Sequence, residues 1–163
     1  MYIDRIIQEA ANRGIIQLGS PADINKDLIL ESLTFGTANF GRDSNRRYSL
    51  KLSALSFIKY NKSIGEKSSC GFIYAITNPA WDNYVKIGMS SDPKTRLRNY
   101  QTYSPLRDYK LIHWSFWFNA REAEKMLHNS FPERLNEWVV LDRGVDEILS
   151  EFNNLSNKQF KSC

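Results

Sequence analysis

Between residues 85 and 100 the chain reads VKIGMSSDPKTRLRNY, an apolar strand end that meets Gly88 and then opens a helix carrying Arg96 and Tyr100. An arginine and a tyrosine at i and i+4 project from one helical face. Upstream, FIYAI and YVKIG are β-rich runs separated by TNPAWDN, a spacing that predicts a hairpin. Alternate residues share a strand face, so Phe72, Tyr74 and Ile76 line one face of the first strand, and Tyr84 and Lys86 one face of the second. A hairpin centred on Ala80 sets Tyr74 directly opposite Lys86, within side-chain contact. The lysine then favours the phenolate, because an opposite charge lowers the pKa of an acid. Tyr74, Lys86, Arg96 and Tyr100 around a glycine are the chemistry of a phosphate site, where a guanidinium gives bidentate contacts. The same helix taken alone also reads as a solvated basic face.

The elements that position these residues follow from local pattern. Asp92 is placed as an N-cap with Pro93 at the first helical position. YKLIHWSFWF is a long β run, and its Trp114, Phe116, Trp117 and Phe118 read as core on both faces rather than as platforms for stacked bases. His113 reads as a strand histidine. Asn119 opens NAREAEKMLHNSF with Glu122 three residues on, as in a capping box. EWVVL is a last strand, and Val145, Ile148, Leu149 and Phe152 form a closing amphipathic helix. The order β-β-α-β-α-β-α over residues 66–155 predicts an α+β domain, a small antiparallel sheet flanked by helices.

Ahead of it, Ile3, Ile6, Ile7 and Ala10 recur at helical spacing up to Gly14, and a second helix is expected from about Asn25. LKLSALSFIKY fits a helix through Leu52, Leu55 and Ile58, and a strand through Leu50, Leu52 and Ala54; helix is favoured. The polar stretch NKSIGEKSS marks the domain boundary. Residues 1–65 are thus expected to be a mostly helical module, and residues 156–163 a flexible, fraying tail.

A content of 42% apolar and 13% aromatic residues supplies a real core and excludes a disordered tail. No apolar run approaches the ~18 residues of a membrane span, and MYIDRIIQEAANRG lacks the apolar stretch of a signal peptide, so a cytoplasmic protein without a membrane partner is expected. Cys70 and Cys163 lie far apart and are expected to stay reduced. The net charge of +4 permits nucleic acid binding, and its distribution is more specific. From Arg42 to Lys62 six basic residues face one acid, whereas residues 71–163 carry 12 basic and 11 acidic side chains. Arg42, Arg46, Arg47 and Lys51, among Asn, Ser and Gly, are therefore candidate DNA phosphate contacts, although the stretch also reads as a solvated face.

GFIY, VKIG and RLRNY in this order resemble the GIY-YIG nuclease superfamily, in the phage-type branch whose second motif is K-I-G. Arg96 lies eight residues after Gly88, Tyr100 four further on, and Glu124 on a later helix, as in that family's pattern. The resemblance covers about residues 71–142. It departs from the strict form at Phe72, which stands where a glycine is usual, at Lys86, which replaces a tyrosine, and at Met89, where many members are basic.

The resemblance implies hydrolysis of a DNA phosphodiester with one divalent metal, Mg2+ or Mn2+. Carried over, Glu124 would hold the metal, Tyr74 would activate or orient the attacking water, Arg96 would bind the scissile phosphate, and Tyr100 would hydrogen-bond the phosphate or metal shell. Lys86 would take over the missing charge, and Lys86→Met is expected to move the pH optimum of cleavage upward. The core stripe Ala120, Ala123 and Leu127 leaves Glu124 at its edge, facing a cleft, since an unpaired buried carboxylate is costly. His128, one turn on, is a candidate to ligate a metal with Glu124 or simply to share that cleft, and Asn136 and Glu137 are candidates for the asparagine often found late in the domain. The expectation is a site-directed DNA endonuclease acting on double-stranded DNA, encoded by a phage or mobile element for homing or attack on competitor DNA. A catalytically inactive repressor or adaptor on the same fold is the alternative, with an RNA-binding or protein-interaction domain as a third reading. Target sequence and oligomeric state stay open, a dimer on DNA included.

Overall fold

The computed structural model describes residues 70–117 and 119–161, with side chains up to Leu155, together with Ala54, Phe57 and Ile58. Most of the expected N-terminal module, including Arg42, Arg46, Arg47 and Lys51, and Phe118 in the third strand lie outside the described residues. Strand β1 (Gly71–Thr77) is followed by a 3-10 turn (Pro79–Trp81), β2 (Tyr84–Ser90), α1 (Pro93–Tyr103), β3 (Lys110–Trp117), α2 (Ala120–Asn129), β4 (Arg134–Leu135), β5 (Trp138–Val140) and α3 (Asp146–Lys161). The strands form one antiparallel sheet in the order β3-β1-β2-β5-β4. This is the expected α+β architecture, with β4 as an added short strand.

β1 is an interior strand, between β3 and β2, and its residues Gly71 to Ile76 are all buried. That explains a run without polar alternation: both faces of the strand are covered. On one face Phe72 meets Trp114 and Phe116 edge-on, at 5.4 and 5.7 Å between ring centroids. Phe57 joins this cluster, 5.8 Å from Phe116, so the helical residues Ala54, Phe57 and Ile58 belong to the core of the sheet. On the other face Phe152 of α3 packs against His113 and Trp117, at 4.2 and 6.3 Å. The aromatic residues of β3 from 114 to 117 are core, as expected. Helix α3 continues through Lys161, so helical backbone extends into the stretch expected to fray.

The helix starts follow local chemistry. Asp92 accepts hydrogen bonds from Lys94 N–H and Thr95 N–H at 3.1 and 3.3 Å, and Pro93 occupies the first helical position of α1. Asn119 caps α2 through Glu122 N–H, and its amide reaches the Glu122 carboxylate at 3.2 Å. This is a side-chain version of the capping box, in place of a return bond to the cap's own N–H.

The hairpin register corrects the expectation. β1 and β2 pair with Tyr74 opposite Gly88 and Ile76 opposite Lys86, so Tyr74 and Lys86 are diagonal rather than facing. The turn is the reason. Asn78 caps the 3-10 turn by accepting from Ala80 N–H at 2.9 Å, and the chain must finish that turn before reversing. The centre of the hairpin moves from Ala80 to Trp81, a step of two in register. Parity is kept, and Tyr74, Lys86 and Gly88 still share a face.

Candidate active site

β2 alternates in burial: Val85 and Ile87 are in the core, while Tyr84 and Lys86 are half-buried. Its even-numbered face therefore forms one wall of a cleft, and Gly88 is the gap in that wall. A Cβ on Gly88 would lie 2.6 Å from Tyr74 Cζ, so the phenol ring occupies the space that a side chain would need. Burial pushes the Tyr74 phenol far above its ordinary value of 10.0, and its hydrogen bond to Tyr100 works in the same direction. The cation that favours the phenolate is Arg96, on the exposed side of α1, and it only partly offsets the burial.

Lys86 does not fill the role expected of it toward Tyr74. Its Nζ lies 2.6 Å from Glu137 Oε2 and 5.0 Å from the centroid of the Tyr100 ring. Burial disfavours the ammonium, but hydrogen bonds to Glu137 and Tyr100 outweigh it, and the lysine titrates above its ordinary value. A continuous chain results, from Tyr74 to Tyr100 to Lys86 to Glu137. Glu137 was one of two candidates at the β4–β5 turn. The structure brings it to the cluster, whereas Asn136, in the left-handed region with φ 57°, lines a neighbouring cleft.

Glu124 and His128 are held by the open edge of β2. β5 pairs with β2 only as far as Lys86, and Ile87 N–H donates to Glu137 O at 3.1 Å. Past that point the strand has no neighbour on this side among the described residues, and backbone groups left bare there would be costly. Helix α2 supplies the partners. His128 Nε2 bonds Ile87 O at 2.9 Å, and the Glu124 carboxylate accepts from Met89 N–H. Residues one helical turn apart thus meet backbone groups of alternate strand residues, both of which point out of the same edge. His128 is buried and fixed by this bond; its place is a brace between α2 and β2.

Burial pushes the Glu124 carboxyl above its usual value of 4.5; the charge of Glu137 adds to this, while His128, Lys86 and Met89 N–H oppose it. A half-buried carboxylate in that state is suited to a cation. Among the described residues no group of three or more His, Cys, Asp and Glu side chains could hold a metal ion. A zinc cage does not fit this donor set. An ion that keeps most of its water and takes one carboxylate with phosphate oxygens does, which is the habit of Mg2+.

The site thus joins β1, β2, α1 and α2 around Gly88: Tyr74, Lys86, Arg96, Tyr100 and Glu124 are all in it, with Glu137 beside them. Fold and cluster together describe a small α+β domain with phenol, guanidinium, ammonium and carboxylate groups gathered at one glycine. Residues 71–163 match the T5orf172 domain, and the chain belongs to that family, a phage-associated nuclease-like domain related to GIY-YIG and HNH-type endonucleases. No curated protein and no solved structure matches the chain significantly. No helix among the described residues is long and apolar enough to cross a membrane.

Reading the residues in order missed the aromatic cleft beside the site, formed by Trp81, Tyr84, Tyr109 and Trp138 with Tyr100. Its members come from five separate segments, and the signal available was only that Trp81 and Trp138 sit in or beside turns.

Proposed function

We propose that the chain is a DNA endonuclease of GIY-YIG type that hydrolyses phosphodiester bonds with one Mg2+ or Mn2+ held by Glu124. The observation that carries this reading is the meeting of a buried phenol, an arginine and a half-buried carboxylate around one glycine. Arg96 grips the scissile phosphate through two parallel N–H···O bonds, and the Tyr100 hydroxyl adds a third contact. Lys86, paired with Glu137, supports the Tyr100 hydroxyl on the same wall. Tyr74, kept protonated by burial, orients the attacking water through its hydroxyl; a phenolate is disfavoured until more positive charge arrives. The metal, when bound, would neutralise charge on the phosphate and steady the leaving oxygen. Residues 1–65, with Arg42, Arg46, Arg47 and Lys51, would supply phosphate contacts and target choice for a core too small to read much sequence. A phage or mobile-element setting, inside the host cytoplasm, suits such an enzyme.

Incubation with mixed phage and plasmid DNA and Mg2+ tests this. Wild type is expected to cut. Glu124→Gln should lose about 10²- to 10³-fold in rate while still binding DNA, and Arg96→Ala should lose both rate and affinity. Binding by the wild type without Mg2+-dependent cutting would assign the repressor or adaptor role instead.

A further inference from the structure

Beside the cluster lies an open cleft of about 560 Å³ whose walls are almost wholly aromatic: Trp81, Tyr84, Tyr100, Tyr109 and Trp138. That volume falls within the ~300–1,000 Å³ of clefts that take small organic ligands. Trp81 is 49% exposed and Leu135, also lining the cleft, is 62% exposed. Trp81 and Trp138 meet edge to face at 5.9 Å, and Tyr100 and Tyr109 are tilted at 5.5 Å, so the wall is built from two contacting aromatic pairs.

These walls are pinned. Gln101 holds the backbone of Tyr109 with two bonds, Nε2 to Tyr109 O at 2.8 Å and Tyr109 N–H to Oε1 at 3.0 Å. The buried Asn78 amide donates to Asp108 at 3.0 Å, Ser104 donates to the same oxygen, and Asn78 caps the turn that carries Trp81. A rigid aromatic cleft open to water is prepared for a flat apolar ligand, because the ordering cost of binding has been met in folding. Tyr100 belongs to both places: its hydroxyl is in the Tyr74–Lys86 chain, and its ring is a wall of the cleft.

We propose that the cleft is a stacking subsite for an unpaired nucleobase of the DNA strand whose phosphate lies at Arg96 and Tyr100. The placement of that phosphate rests on the endonuclease reading; the affinity for an unpaired base does not. A duplex shows only base edges, whereas aromatic walls take base faces, so the cleft selects a nucleotide that has left the stack. Asn136 at the rim carries an amide donor and acceptor suited to a base edge. The strand would therefore be engaged at a flap, a mismatch or an extruded base beside the cut.

The test uses the full chain in EDTA, with Trp81 and Trp138 as fluorescent reporters, and three probes: an oligodeoxythymidylate, the same backbone with abasic sites, and a blunt duplex. Wild type should bind the base-bearing strand at least about tenfold more tightly than the abasic one, with quenched fluorescence. Trp81→Ala should erase that difference, and Trp81→Phe should restore most of it. Equal affinity of the wild type for base-bearing and abasic strands would overturn the proposal. So would a Trp81→Ala protein that keeps the preference, or one that merely changes oligomeric state in sedimentation while the preference persists. Because no metal is present, a base preference in a chain that never cuts DNA would leave the subsite standing and remove the nuclease reading; cutting without base preference would do the reverse.

Discussion

Tyr74 and Gly88 are direct cross-strand partners, and the phenol ring of Tyr74 fills the space where a side chain on Gly88 would stand. The glycine of VKIG is needed for that reason rather than for its backbone freedom. Gly88→Ala puts a methyl 2.6 Å from Tyr74 Cζ, and the ring must swing away. The expected loss of stability is about 1–3 kcal/mol, typical of overpacking. The expected loss of cleavage rate is larger, 10²-fold or more, because Tyr74 and its bond to Tyr100 move together. Urea midpoints beside single-turnover rates check this; equal losses in both would mean that the glycine serves packing alone.

Lys86 is tied to Glu137 at 2.6 Å, with side-chain exposures of 15% and 52%. Because the pair is partly open to solvent, a double-mutant cycle of Lys86→Met and Glu137→Gln should show a coupling of about 1 kcal/mol that shrinks with added salt. The folded-state pKa of Lys86 is raised above 10.5, so its contribution to stability is complete below that pH and lost only above it. The penalty of Lys86→Met should therefore be constant from about pH 6 to 9. The acidity of Tyr74 is set chiefly by burial, Tyr100 and Arg96, with Glu137 the last of its causes. The pH optimum of cleavage should thus stay in place in Lys86→Met, unlike what a directly facing pair would give; an upward shift would mean that the lysine tunes Tyr74 across the diagonal.

Phe57 is 2% exposed and meets Phe116 edge to face at 5.8 Å. Phe57→Ala should cost about 3–5 kcal/mol by urea denaturation, the range for a buried phenylalanine. A chain shortened to begin at residue 66 should be weakened at least as much. If the shortened chain were as stable as the whole, Phe57 would be an accessory to the core.

Glu147, in the first turn of α3, accepts from Asp142 N–H and Arg143 N–H at 2.9 and 3.1 Å. The Arg143 N–H first, then the Asp142 N–H and the Arg143 side chain, hold its carboxyl below the ordinary 4.5. A depressed acid stabilises the fold above its unfolded pKa and loses that contribution as pH falls through the folded value. Glu147→Gln should lower Tm at neutral pH and converge with wild type in acid. A gap that persisted unchanged into acid would show that the carboxylate's charge is irrelevant there.

Much of the frame was legible in order of residues. Asp92-Pro93 and Asn119 start helices because caps act on the next two or three N–H groups. The stripe Ala120, Ala123 and Leu127 is buried because 3.6-residue periodicity puts those positions on one face. Tyr74, Arg96 and Tyr100 could be grouped from type and spacing, whereas Glu124 came only with the family resemblance; the structure places all four around Gly88.

Residue order therefore carried most of the elements, their polarity and the parity that keeps Tyr74, Lys86 and Gly88 on one face. The remaining features arose with the assembled sheet. The 3-10 turn at Pro79–Trp81 moved the register by two and paired Tyr74 with Gly88. The short reach of β5 left part of the β2 edge for α2 to complete, which fixes Glu124 on Met89 and His128 on Ile87. Glu137 found Lys86, and Trp81, Tyr109 and Trp138 found Tyr100. Local signals act within a few residues of the chain. These pairings depend on which backbone groups and ring faces remain unsatisfied once the sheet has formed, and that is a property of the assembled fold.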